Sequence, residues 1–396
     1  MTALMNRIDS TPDSIATGPT TASPAPGAQR AAASRDLYID TLRGVALLRV
    51  LTYHTFGWAW LPMVYPSMGI MFALGGSLMA SSLDRGGSLG GLIKRRFKRI
   101  LIPFWAFAAV AVGVMLSRGW QVTEDLGEPL TVESALRWIV PLGMPPNSVQ
   151  FDDWVLPLWY VAAYLWFVLL SPALLWLFRR WPKTMITAPL ALVFLQAGTI
   201  IDLSGPFGDI ALDVVTYAAC WMLGFAHHDG LLKRIPLWKA LAGAAVLAAA
   251  GIAWAYAFPN VESGANVSDI PVASALFSLG AVLLVLRCYL NFAWMHRVPP
   301  LAWLVRAVSS RALTIYLWGN AAIYGSELLL DQWSVTQPLV QGPASDWWIY
   351  GGTFVVLTAI VLAVGWIEDV AAGRRPRLVP RFSTPAGRPR ARLATA

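Results

Sequence analysis

Residues 35–61 read RDLYIDTLRGVALLRVLTYHTFGWAWL. An apolar run of this length crosses a bilayer as a helix, because about 20 residues rising 1.5 Å each match a hydrocarbon layer of ~30 Å. Yet the run carries Asp40, Arg43, Arg49 and His54. A charge near the bilayer centre costs at least ~2.5–3.5 kcal/mol on insertion scales, so a polar cavity beside this helix is expected. Arg43 and His54 are eleven residues apart. At about 100° per residue that is almost three whole turns, so both share one face, ~16 Å apart along the axis. Asp40, three residues before Arg43, lies on a neighbouring part of that face and can pair with it. Arg49 points roughly 120–140° away, towards another wall. The plainer alternative is that Asp40 and Arg43 lie at the interface and snorkel.

The rest of the chain repeats the apolar pattern. Of 396 residues, 57% are hydrophobic and only 13% charged, against about a quarter charged in soluble domains. A water-soluble enzyme is thereby disfavoured. From Leu37 onward ten apolar segments alternate with polar loops, at roughly 37–60, 66–83, 100–117, 154–177, 185–201, 209–226, 238–258, 271–290, 311–330 and 347–368. If the amino terminus lies inside, the inner loops and carboxyl tail hold 23 basic residues against the acids Asp84 and Asp229. The outer loops hold 13 acids and only Arg118 and Arg137 as cations. Lys and Arg resist translocation, and a miscounted helix would scramble this segregation. The expected fold is all-α: a polytopic membrane protein of about ten transmembrane helices with both termini cytoplasmic. Residues 1–35 are rich in Thr, Ala, Ser and Pro and are expected to be a disordered cytoplasmic tail, with 36–370 as the membrane domain. Residues 371–396, rich in Arg and Pro, are expected to form a basic disordered tail.

The net charge of +8 sits in short loops rather than on a solvated face, which argues for membrane orientation and against nucleic acid as partner. Cys220 and Cys288 stand singly within apolar stretches, and no cluster has metal-ligand spacing, so no metal is expected. Histidine suits proton transfer near neutrality. His227, His228 and His296 fall at inner helix ends or loops, leaving His54 as the candidate base within the membrane. A second constellation, GGSLGGLIKRRFKRILIPFW, concentrates Lys94, Arg95, Arg96, Lys98 and Arg99 at the inner start of the third segment. It is either a topology anchor or a phosphate-binding mouth, since guanidinium forks suit phosphate. Asp209 and Asp213 share a face near the outer end of the sixth segment, and Asp213 could touch an acceptor. Trp159, Tyr160 and Tyr164 could stack on a sugar ring or form an interfacial aromatic belt, the belt being favoured.

Taken together, Arg43 and His54 (a basic residue, ten residues, then His) and the arginine pair Arg96 and Arg99 resemble the membrane acyltransferase-3 family of integral membrane O-acyltransferases. DTLRGVALLRVLTYH, MFALGGSLM, PLWYVAAYLWFVLLSP (157–172) and LTIYLW (313–318) follow that family's usual order over about 36–330. The chain departs from it at Tyr164, where many members have Glu, and at Gly319, where they have His. No hydrolase-like domain follows the tenth segment, so a function needing one is not expected.

The resemblance implies transfer of an acyl group, acetyl in the first instance, from cytoplasmic acyl-CoA to a hydroxyl of a glycan, glycolipid or secreted natural product. The setting would be a bacterial cytoplasmic membrane. Arg95, Arg96 and Arg99 would hold the donor's phosphates, with Arg49 assigned to the same donor-binding set. Arg43 would hold the pantetheine or pyrophosphate portion, or the thioester oxygen, and Asp40 would orient Arg43. His54 would take the acceptor's proton as general base, or be acylated itself. Asp213, Trp159 and Tyr164 are the acceptor-side candidates. The competing reading is a secondary transporter using Arg49, His54 and Asp213, although no paired Gly/Pro interruptions mark its two halves.

Overall fold

The computed structural model describes residues 26–380, apart from 124–125, 202, 204, 289–291 and 334. Of the disordered tails expected at 1–35 and 371–396, residues 1–25 and 381–396 lie outside the described residues. Among the described residues the secondary structure is helical, without a strand beyond one isolated bridge between Asn260 and Gly264. The helices used below are α1 (Pro26–Phe56), α2 (Ser67–Asp84), α3 (Leu89–Ser117), α4 (Leu158–Arg180), α5 (Pro182–Ala197) and α6 (Gly205–His228). They continue with α7 (Leu237–Ala257), α8 (Pro271–Arg287), α9 (Pro299–Ser310), α10 (Ala312–Asp331), α11 (Ser345–Val364) and the short α12 (Ile367–Ala371). Each of the ten apolar segments is therefore occupied by a helix, and α9 and α12 are additions.

Among the described residues six stretches are long and apolar enough to cross a membrane: Leu61–Asp84, Leu89–Ser117, Leu158–Arg180, Phe207–His228, Leu237–Ala257 and Ser345–Val364. The other four segments differ in kind. Helix α1 carries the intramembrane charges, α5 and α8 have 16 and 17 residues, and α10 has 20. Helix α1 starts at Pro26, inside the stretch expected to be a tail. The basic segment after α12 is likewise tied to the body: Arg311 donates to the carbonyl of Arg377 (2.7 Å) and Trp303 Nε1 to that of Pro380 (3.2 Å).

The centre of the bundle is the crossing of α2 with α6. With no hydrophobic drive between helices in lipid, close packing requires small residues at the seam. Here a side chain on Gly76 would overlap the backbone of Trp221, and one on Gly224 would overlap the backbone of Ala73. The paired glycines of MFALGGSLM thus let the fully buried Trp221 ring settle against Phe167, with centroids 4.6 Å apart and planes at 8°. At the basic end Arg179 of α4 spans two carboxylates, meeting Asp84 at 2.7 and 2.9 Å and Asp229 at 2.7 and 3.0 Å. His228 Nε2 meets the same Asp84 at 2.9 Å. This network closes the ends of α2, α4 and α6 over the seam.

A second latch closes the carboxyl end. Arg311, the residue before α10, donates to Asp369 at 2.7 Å, and Arg374 adds a contact at 3.0 Å. Burial opposes ionisation of Asp369, but these guanidinium groups hold its carboxyl below the usual carboxylate range. A depressed carboxylate adds stability above its unfolded value of ~3.9 and loses it as pH falls through the folded value. Two outcomes follow. Asp369→Asn should lower stability by roughly 3 kcal/mol at neutral pH, because it leaves Arg311 buried without its partner; the gap to wild type should close below about pH 4 in thermal melts of the detergent-solubilised protein. Gly224→Val should cost ~1–3 kcal/mol by overpacking. Gly113→Ala, where an added Cβ meets nothing within 4 Å, should not lower the melting temperature.

Candidate active site

The basic end of the bundle encloses a cavity of about 440 Å³. Four arginines line it: Arg43 from α1, Arg85 just past α2, and Arg96 and Arg99 from α3. Arg96 and Arg99 are three residues apart, hence neighbours on one helix face. Ser88 caps α3 by accepting from the Gly91 N–H, which sets the helix start and so the direction of that face. Arg96 donates to Ser82 Oγ (2.7 Å) and to the carbonyl of Leu78 (3.2 Å). Arg85 donates to the same Ser82 Oγ at 2.8 Å, and Ser82 in turn donates to Leu78 O at 2.7 Å. Two cations therefore share one hydroxyl oxygen.

Among the described residues Glu368 is the one carboxylate in the wall of this cavity. Its Oε1 already accepts from the Thr314 N–H (2.7 Å) and Thr314 Oγ1 (2.6 Å), capping the amino terminus of α10, where a negative charge is favoured. Four guanidinium groups facing one engaged carboxylate leave the cavity strongly positive, a field that concentrates anions. Tyr160, Tyr164 and Tyr316 form its inner part.

Of the residues expected to bind the donor, the structure brings Arg96, Arg99 and Arg43 together. Arg95 is not in the lining: it is exposed, one position off the Arg96–Arg99 face. Arg49 is also elsewhere. It borders a small separate cavity with Ser67, Tyr217, Ser268 and Ser274. Its guanidinium carbon lies 4.9 Å from the Tyr53 ring centre, and its Nη2 lies 3.5 Å from Ser268 Oγ. The wide angular offset between Arg43 and Arg49 on α1 is the reason. Asp40 accepts from Ser309 Oγ at 2.6 Å, and Ser309 itself lines the arginine cavity. Asp40 thus ties α1 to the end of α9 beside Arg43.

His54 lies in the last turn of α1 and is half-buried. Its ring sits edge-on to Tyr53, with centroids 5.6 Å apart at 76°, and Arg49 is its charged neighbour. It is not among the residues lining the arginine cavity. The loop before α8 folds over this end of α1, where Asn266 Nδ2 donates to Tyr53 Oη at 2.6 Å.

Between the two regions runs a chain of ring contacts. Tyr160, in the arginine cavity, packs on Phe72 (4.6 Å), and Phe72 packs on Tyr217 (5.2 Å), which borders the Arg49 cavity. Trp159 stacks on Tyr217 (5.7 Å, 23°), and Tyr164 meets Trp221 edge-on (5.6 Å, 77°). These aromatics pack inside the bundle, so the favoured reading of Trp159, Tyr160 and Tyr164 as an interfacial belt is corrected. Asp213 is one turn before Tyr217 on α6 and lies within electrostatic range of Tyr217 and Tyr316. Asp209 instead borders an outer cavity of about 260 Å³ with Glu128 and Asp152.

Sequence reasoning missed Arg85 and Glu368. Arg85 falls in a loop of the sequence and Glu368 closes the tenth segment, neither with a motif around it. At the two departures from the family pattern, Tyr164 faces the arginine cavity, while a Cβ on Gly319 would lie 2.9 Å from Leu51 of α1. A histidine at Gly319 would therefore need Leu51 to move.

No curated protein and no solved structure matches the chain. A family model described as an acyltransferase domain matches residues 36–367, which takes in α2 to α11, nearly all of the arginine cavity and His54. The chain belongs to the acyltransferase-3 family.

Proposed function

We propose that this membrane acyltransferase moves an acyl group from acyl-CoA to a hydroxyl of a glycan, glycolipid or secreted small molecule. The observation that supports this best is the cavity with Arg43, Arg85, Arg96 and Arg99 around one already engaged carboxylate. The phosphates of coenzyme A supply the missing negative charge, and arginine forks match phosphate geometry. In this reading the chain crosses the membrane ten times, with both termini and the arginine cavity on the cytoplasmic side, where Lys and Arg accumulate. The Arg-rich, Ala-rich composition suits a bacterial cytoplasmic membrane.

Arg96, Arg99 and Arg85 hold the nucleotide phosphates at the mouth. Arg43, steadied through Asp40 and Ser309, reaches the pantetheine portion further in. The thiol arm extends along α1 towards His54, ~16 Å beyond Arg43 on the same helix face. Its path crosses the layer of Tyr160, Phe72 and Tyr217, whose rings must part to admit it. The acceptor hydroxyl then attacks the thioester carbonyl while His54 takes its proton. The C–O bond forms, the C–S bond breaks, and the coenzyme A thiolate leaves and is protonated. The donor-binding role assigned to Arg49 gives way to a supporting one: on its own face of α1 it lies over the Tyr53 ring beside His54, away from the phosphate cavity. Asp213, Trp159 and Tyr164 are left for the acceptor or the acyl group.

Two outcomes are expected with purified protein in nanodiscs and acetyl-CoA, reading release of free thiol in the presence of acceptor. His54→Ala should lower kcat by about 10²–10⁴-fold while leaving donor binding by calorimetry unchanged; turnover near wild type would remove the base. Arg96→Ala and Arg85→Ala should each raise KM for the donor more than they lower kcat, whereas Arg95→Ala should do little. A large effect at Arg95 with none at Arg85 would place the phosphates elsewhere.

A further inference from the structure

An apolar cavity of about 650 Å³ opens between α1, α9, α10 and α11. It shares no lining residue with the arginine cavity. Val45, Leu48, Leu304 and Leu362 form its rim and are 41–51% exposed, which suits a surface bathed in hydrocarbon. Its polar side chains are few and, with one exception, already bonded. Thr41 Oγ1 donates to Leu37 O (2.7 Å), Thr358 Oγ1 to Phe354 O (2.6 Å) and Trp303 Nε1 to Pro380 O (3.2 Å).

The exception is Arg311. Its side chain is 2% exposed, and only its Nη2 is engaged, by Asp369 and the Arg377 carbonyl. Its Nε and Nη1 have no acceptor among the described residues. A buried guanidinium with two idle donors at the head of an apolar groove calls for an anionic oxygen group carried on hydrocarbon. The surroundings favour an anion too. Arg374 also meets Asp369, so that carboxylate is divided between two guanidinium groups, and Arg375 and Arg377 follow, exposed, before the chain reaches Pro380 at the groove's edge. Basic clusters beside a membrane are drawn to anionic lipid.

We infer that the groove headed by Arg311 binds one anionic phospholipid, its phosphate on Arg311 and an acyl chain between α1 and α11. The site lies just behind the donor cavity. Val308 and Arg311 line the groove, whereas Ser309 and Ala312 line the arginine cavity, so the lipid braces the corner of α9 and α10 that both share.

The full-length protein is exchanged into nanodiscs of phosphatidylglycerol or of phosphatidylcholine, and retained lipid is counted by native mass spectrometry after release into detergent. One phosphatidylglycerol per chain should survive, with phosphatidylcholine retained at least tenfold less. Arg311→Gln should abolish the preference. Because losing the Arg311–Asp369 pair can unfold the protein, Leu48→Trp, which fills the groove from its exposed rim, serves as the second variant and should cut retention equally while melting normally. Equal retention of both lipids, or retention unchanged in Leu48→Trp, would overturn the assignment. So would displacement of the lipid by acetyl-CoA, or by inorganic phosphate at the same concentration.

Discussion

A guanidinium group inside a membrane domain needs water, a carboxylate or a bound anion, because hydrocarbon solvates none of its charge. That requirement orders this protein. Where a carboxylate is available the arginines form latches: Arg179 between Asp84 and Asp229 over the central seam, and Arg311 on Asp369 at the carboxyl end. Where carboxylates are scarce, four arginines converge on one cavity, and two of them, Arg85 and Arg96, share the Ser82 hydroxyl instead. The first arrangement holds helices together, and the second leaves positive charge available for a ligand.

The central seam makes the second arrangement possible. Gly76 and Gly224 bring α2 and α6 into backbone contact, which carries Ser82 and Arg85 to the start of α3 and aligns them with Arg96. The same contact stacks Phe72, Tyr160 and Tyr217 between the arginine cavity and the region of Arg49 and His54. The arginine cavity and the region of Arg49 and His54 thus lie on either side of an aromatic layer.

Much of the site is legible in single helices. The spacing of Arg43 and His54 places them on one face of α1, and the spacing of Arg96 and Arg99 places them on one face of α3; both are properties of a 3.6-residue turn. The same arithmetic separates Arg49 from Arg43, and the structure puts those two in different cavities. Arg85 and Glu368 escape such reasoning because each enters the site at a helix end, where the direction of a side chain depends on the neighbouring element. Glu368 lines the cavity because its carboxylate caps α10, 54 residues away in the chain. The aromatic cluster escapes for a related reason: a Trp or Tyr near a helix start suits an interfacial belt and a buried stack equally well.

The amino-acid sequence alone determined an all-helical membrane domain, the segregation of basic from acidic loops, and which residues share a face within each helix. These follow from local hydropathy and helical periodicity, which need no knowledge of neighbours. Only the tertiary structure decided which faces meet. It gathered Arg43, Arg85, Arg96 and Arg99 around one cavity, turned Trp159 and Tyr164 inward, and left Arg311 with idle donors beside an apolar groove. Those outcomes depend on contacts between residues far apart in the chain, set by how closely backbones can approach at glycine seams and by which charges find partners on reaching them.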